Sequence, residues 1–150
     1  MNNLELLITK DGSKTLYDHQ VGSGYRSIHG AKEESLGVFV HPALAHCQNL
    51  PKIQVLELGL GTATNFINLY NECEKLNKNL VYLAVEYRPI DLAAYDLVNE
   101  NHEPSQELMR AAITKLEQEQ QVHITDSIAE IIIIKADWKN TTIDVKHFDV

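Results

Sequence analysis

The chain has 150 residues, 44% of them hydrophobic, and a formal net charge of −8. That length suits one domain with a real core, and the acidic balance argues against a nucleic-acid footprint over the whole surface while leaving room for a local basic groove. The N-terminus MNNLELLITKDG has no signal-peptide pattern and no apolar run reaches membrane-spanning length, so no membrane partner is expected and the chain reads as cytoplasmic.

Leu4 to Thr9 is β-friendly, Asp11-Gly12-Ser13 makes a turn, and Lys14 to Tyr17 returns as a second strand. Gly22 to Gly30 is glycine-rich and polar and reads as loop. Ala31 to Ala45 reads as partly helical, with Val38-Phe39-Val40 open to an extended reading, and Pro51 closes this N-terminal extension, residues 1–50. Residues 51–150 carry a different pattern. Ile53 to Leu58 is a strand, and Thr62 to Leu76 a helix with Phe66, Ile67, Leu69, Tyr70 and Cys73 on one side. Leu80 to Val85 is apolar throughout, as a strand buried on both faces should be. Pro89 suits a helix's first turn, and Ile90 to Val98 continues that helix. Pro104 opens another, running to about Gln120. Val122–Thr125 and Ile128–Ile134 read as two strands joined at Asp126-Ser127.

Strand alternating with helix implies right-handed βαβ units and a parallel sheet, in short an α/β, Rossmann-like fold. The strands around Ile53–Leu58, Leu80–Val85 and Ile128–Ile134 are expected to lie in the order third, second, first. The Leu56 strand has the pattern of a central strand.

The stretch VLELGLGTATN, residues 55–65, joins the first of these strands to its helix. Gly59 and Gly61 let the backbone turn tightly and approach a ligand. The helix beginning near Thr62 points free N–H groups at that space. Such a turn is also ordinary chain punctuation when it stands alone. Three acids narrow the choice. Glu57 precedes the turn, where it can meet a ligand ammonium. Glu86 ends the second strand, where it can accept from both hydroxyls of a ribose. Asp137 follows the third, where it can accept from an adenine amino group. All three fall at strand ends, the ligand side of open α/β sheets. A nicotinamide dinucleotide prefers Gly-x-Gly-x-x-Gly, but here Thr64 stands third. An amino acid, a ribose and an adenine in one ligand fit better, which describes S-adenosylmethionine.

With these residues in place the chain resembles the methyltransferase domain of MnmC-type tRNA-modifying enzymes. That family's strand-turn-helix reads Glu-x-Gly-Phe-Gly-Thr-Gly-x-Asn-Phe, matched here by Glu57, Gly59, Gly61, Thr62, Asn65 and Phe66. Leu60 and Ala63 depart from it, and a methyl at Ala63 is expected to crowd a backbone approach. Glu-x-x-Pro is matched by Glu86 and Pro89. Upstream, Asp11-Gly12-Ser13-x-Thr15-Leu16-Tyr17 and Gly30-Ala31-x-x-Glu34-Ser35-x-x-Val38-Phe39 are similar to stand-alone members that lack the oxidase domain. The resemblance runs from Leu7 to the C-terminus. It implies methylation of the aminomethyl group on a tRNA wobble uridine, with S-adenosylmethionine as donor. The implied cofactor residues are Glu57, Gly59, Gly61, Thr62, Asn65, Glu86 and Asp137. Tyr25, Arg26, His29 and Glu34 fall on the substrate side, with Tyr25 able to stack on a base.

The family's next strand carries an Asp-x-Phe-x-Pro element lining the transfer site, whereas His147-Phe148-Asp149-Val150 reads as the beginning of that strand. The expectation is therefore a methyltransferase fold truncated after its third core strand, with the catalytic group beyond Val150. The Leu56 strand becomes an edge in these 150 residues, open to homodimerisation. Seven histidines show no His-x-x-x-His spacing, and Cys47 and Cys73 no metal or redox spacing, so no metal is expected and the thiols read as reduced. Trp138 can flank an adenine or cap the core. Glu117-Gln118-Glu119-Gln120 reads as a solvated face. Three function classes stand: a tRNA methyltransferase, a small-molecule methyltransferase favoured by the acidic charge, and a non-catalytic nucleotide-binding or interaction module.

Overall fold

A computed structural model describes residues 3–150. It contains two sheets. The smaller is antiparallel, with β1 (Leu4–Ile8), β2 (Lys14–Asp18) and β3 (Ser23–Gly24) in that order. The larger has four strands: β4 (Lys52–Leu58), β5 (Asn79–Glu86), β6 (Gln121–Thr125) and β7 (Ala129–Lys135). They lie in the order β4-β5-β7-β6, with β4, β5 and β7 parallel and β6 antiparallel to β7. The predicted order of the three core strands is thus observed. β4 is outermost, and Asp149 and Val150 hydrogen-bond along its free side. There Val150 donates its N–H to the Gln54 carbonyl at 3.3 Å and accepts from the Leu56 N–H at 2.9 Å, which is how a parallel ladder starts.

The polar loop expected over residues 22–30 contains β3, because Tyr17 and Asp18 pair with Gly24 and Ser23. Residues 31–46 are helical throughout: α1 (Ala31–Glu34), a π-helical turn (Ser35–Val40) and α2 (His41–His46). Val38-Phe39-Val40 is therefore not extended. Its β-branched residues lose their strand preference because the wider π turn lets Val40 pack into the core while Val38 stays exposed. Asp11 fixes this segment to the β1–β2 turn, accepting from the Glu33 N–H at 2.9 Å and from the Thr9 and Ser13 hydroxyls. Burial opposes the Asp11 charge, but those hydrogen bonds outweigh it and hold the carboxyl well below its ordinary range.

The remaining α-helices are α3 (Thr64–Lys75), α4 (Leu92–Val98) and α5 (Pro104–Leu116), and two 3-10 turns follow β7 at Trp138–Asn140 and Val145–His147, so that His147 ends a helical turn and does not begin the expected strand. α4 starts three residues past Pro89, where the helix was expected to open, because Asp91 accepts from the Ala94 N–H at 2.7 Å and caps it. α5 ends at Leu116, leaving the glutamates beyond it outside the helix. The core lies between the sheet and the helices. Ile53, Val55, Leu80, Tyr82, Ile131 and Ile133 from the strands meet Phe66, Leu69, Met109 and Ile113 from α3 and α5. The expected double-sided burial of β5 is met unevenly: Leu80, Tyr82 and Ala84 are buried on one face, where α3 and α5 pack, while on the other Val85 is buried and Val81 and Leu83 are partly exposed. Cys47 and Cys73 are buried free thiols. Among the described residues no helix is long and apolar enough to cross a membrane, and no group of three or more His, Cys, Asp or Glu is placed to hold a metal.

Candidate functional site

The site lies where β4 and β5 end. Side chains alternate along a strand, so Glu57 extends the face of Ile53 and Val55, and Glu86 extends that of Leu80, Tyr82 and Ala84. Both carboxylates therefore leave the sheet on the α3 side. Between them runs the glycine turn. Gly59 (φ +89°) and Gly61 (φ +56°) are left-handed, and so is Ala63 (φ 60°), just before α3. α3 accordingly begins at Thr64, not Thr62. Ala63 adopts a conformation that costs an L-residue about 1–2 kcal/mol, which is the role of glycine at this place in the motif. Its methyl is fully buried in the core. It does not crowd a ligand approach, contrary to expectation; the substitution's cost is backbone strain. Gly59 is open: no atom lies within 4 Å of where a Cβ would stand. A Cβ at Gly61 would come within 3.3 Å of the Tyr25 ring, so Tyr25 covers that part of the turn.

The two glutamates are held differently. Glu57 accepts from the Tyr82 hydroxyl at 2.5 Å and from Asn65 Nδ2 at 2.7 Å, with the Arg26 guanidinium 3.5 Å from Oε1. Its side chain is only 10% exposed. Burial pushes the Glu57 carboxyl up from its ordinary range, and the hydrogen bonds and the Arg26 charge only partly offset this. Burial and the Glu57 charge likewise drive the Tyr82 phenol well up, so it stays a proton donor. Among the described residues Glu86 accepts from backbone alone: the Gly61 N–H at 3.1 Å and the Arg88 N–H at 2.8 Å. A carboxylate offers about four lone-pair positions, so Glu86 has capacity left for two further donors.

The other predicted residues separate into three groups. Thr62 is fully buried, its hydroxyl 2.9 Å from that of Thr64. Asn65 bridges Glu57 to the Ser35 hydroxyl, which donates to it at 2.8 Å. Both support the turn from beneath. Asp137 stands two residues past β7, accepting from the Lys139 N–H and Asn140 Nδ2. Trp138 beside it is half exposed, under Lys139. Tyr25 and Arg26 reach the turn. Glu34 accepts the Ser27 N–H at 3.2 Å and so anchors their strap. His29 is exposed, its backbone N–H donating to the Ser27 hydroxyl, and does not join the site. Two contributors were not singled out from sequence. Tyr82 stands in a run that reads as uniformly apolar, and Ser35 counts only as part of the upstream stretch Gly30–Phe39 that carries the resemblance, with no role of its own.

No protein-family model matches the chain, and neither does any curated protein. Among solved structures, the chain is similar in fold to MnmC2 from Aquifex aeolicus, with a TM-score of 0.69 and 23% identity. The match covers 89% of this chain and 43% of that one. The chain thus spans less than half the length of the structure it matches. The likeness is one of fold, and it falls on the family whose motifs the sequence resembles.

Proposed function

We propose that the chain is the cofactor-binding part of an S-adenosylmethionine-dependent methyltransferase acting in the cytoplasm on the aminomethyl group of a tRNA wobble uridine. The observation that carries this reading is the pairing of an open Gly59 backbone with a Glu86 carboxylate that keeps two acceptor positions free. Together they fit a ligand whose ribose hydroxyls need a paired acceptor and whose chain must pass close to backbone. Likeness in fold to an MnmC protein supports the same reading.

When bound, S-adenosylmethionine supplies an electrophilic methyl group. The protein's own residues bind and orient. Glu86 takes the ribose, Gly59 and Gly61 lie under the methionine end, and Asp137 faces the adenine amino group. Tyr25 shields the turn from water on the side where tRNA approaches. Thr62 and Asn65 keep the turn in shape. The resemblance puts the group that orients the amine in the Asp-x-Phe-x-Pro element, which residues 1–150 do not contain. On this reading residues 1–50 form an extension that covers the site, and residues 51–150 the first half of the methyltransferase domain, with the free side of β4 available to a further strand or a second copy.

Calorimetric titration with S-adenosylmethionine and with NAD tests the cofactor. The expected result is binding of the former only, weakened at least about 10- to 100-fold in Glu86→Ala, where two charge-assisted hydrogen bonds to the ribose are lost and water replaces them in part. Preferred binding of NAD, or unchanged affinity in the variant, overturns the assignment. Methyl transfer to undermodified tRNA, compared with transfer to a small amine, separates the tRNA reading from a small-molecule one.

A further inference from the structure

Arg26 is a largely enclosed cation with one loose ionic partner. Its side chain is 12% exposed, yet among the described residues its only hydrogen-bonded contact is the 3.5 Å approach of Nη2 to Glu57 Oε1. That distance is at the outer limit of a hydrogen bond, and it is not bidentate. Glu57 does not depend on it, since Tyr82 and Asn65 already donate to both carboxylate oxygens. The guanidinium also stands 5.6 Å over the Phe39 ring. A cation removed from water needs acceptors, and a planar fork of five N–H donors matches a carboxylate. Beside it is a cavity of about 420 Å³ lined by Gly24, Tyr25, Arg26, Ser27, Glu34 and Phe39. The hollow's lining holds no residue of the glycine turn, but two of its walls reach toward that turn: the Tyr25 ring stands against Gly61, and the Arg26 guanidinium stands against Glu57, two residues before Gly59.

We infer that Arg26 is the receptor for the carboxylate of the ligand's amino-acid end, with Glu57 the counter-charge for its ammonium, so that the two side chains form a zwitterion clamp beside the glycine turn. This rests on the reading of the site as one for an amino-acid-bearing adenosine. It moves Arg26 from the substrate side to the cofactor side and makes it a specificity residue. An opposed cation and anion, loosely paired, can each turn to the matching pole of an amino acid without leaving either charge buried and alone.

The test compares three nucleosides on the wild type, Arg26→Met and Arg26→Lys by calorimetry, with thermal melts to confirm folding. S-adenosylhomocysteine carries both charges, its decarboxylated analogue only the amine, and 5′-methylthioadenosine neither. Arg26→Met is expected to weaken S-adenosylhomocysteine about 10- to 100-fold and to leave the other two within about 3-fold, with partial recovery in Arg26→Lys. Equal weakening of all three, or unchanged binding of S-adenosylhomocysteine, overturns the clamp while leaving the adenosine site standing. If the wild type binds none of the three, the cofactor reading fails and the clamp fails with it. Should Arg26→Met not fold, the wild type and Arg26→Lys decide alone: a wild type indifferent to the carboxylate overturns the proposal.

Discussion

Glu57 and Glu86 end adjacent parallel strands on the same face of the sheet, and their environments are opposite. Glu57 is enclosed by side chains from three segments, Tyr82 in β5, Asn65 in α3 and Arg26 after β3. Glu86 is held by two backbone N–H groups from the turns on either side of it. The first acid is part of the core's electrostatics, and the second is part of a rim. On the proposed reading, acids at neighbouring strand ends therefore serve a ligand in different ways: Glu86 through acceptor positions left free, Glu57 through a charge that other side chains already hold in place.

The comparison predicts a large difference in stability. Glu57→Ala leaves the Tyr82 hydroxyl without its acceptor and Arg26 buried without a counter-charge. The expected loss is about 2–3 kcal/mol, or a melting point lower by roughly 4–12 °C for a domain of this size. Glu86→Ala frees two N–H groups that water can reach and should cost about 1 kcal/mol or less. Thermal melts followed by circular dichroism measure both. Equal losses would show that Glu86 belongs to the core as much as Glu57 does.

Tyr82→Phe sharpens the same contrast with a smaller change. The ring keeps its edge-on packing against Phe66, with centroids 5.2 Å apart and planes at 77°. Only the hydroxyl donating to a buried carboxylate is removed, at an expected cost of about 1.5–2 kcal/mol. Urea unfolding gives the number. A variant as stable as the wild type would mean that Asn65 and Arg26 alone are enough to hold the Glu57 charge.

Much of the fold was legible because periodicity and glycine placement act locally. The alternation Ile53-x-Val55-x-Glu57 and the run Leu80–Val85 gave strands in the right order, and Gly59 and Gly61 gave the turn. What was not legible depends on contacts made from afar. Tyr82 reads as one more apolar strand residue until its hydroxyl is seen against Glu57, 25 positions away. Arg26 reads as loop until β3 pairs with β2 and carries it inward. Val38-Phe39-Val40 has strand-like composition, and only the capping of α1 by Asp11 and the packing of Val40 make it helical. Ala63 showed as a departure from the motif, but its price, a left-handed backbone and not a blocked ligand, needed the dihedral angle.

The smallest expected effect concerns the proton on Glu57. Burial raises its carboxyl in the folded protein, with Tyr82, Arg26 and Asn65 pulling back only in part. A glutamate in an unfolded chain titrates near about 4.3. Between that value and the higher folded one, the native state still holds a proton that the unfolded chain has released. Stability is then fully present below the unfolded value and falls as pH rises through the window. Above the folded value the loss is complete and the curve levels. Glu57→Gln removes this titration and no other, so the contributions of the remaining carboxylates cancel in the difference between wild type and variant. Urea midpoints taken from about pH 4 to pH 7 should show the wild type losing ground to Glu57→Gln as pH rises. The reverse slope would mean that the three partners outweigh burial. Glu57 would then be a stabilised anion like Asp11, and the contrast with Glu86 would be one of partners alone.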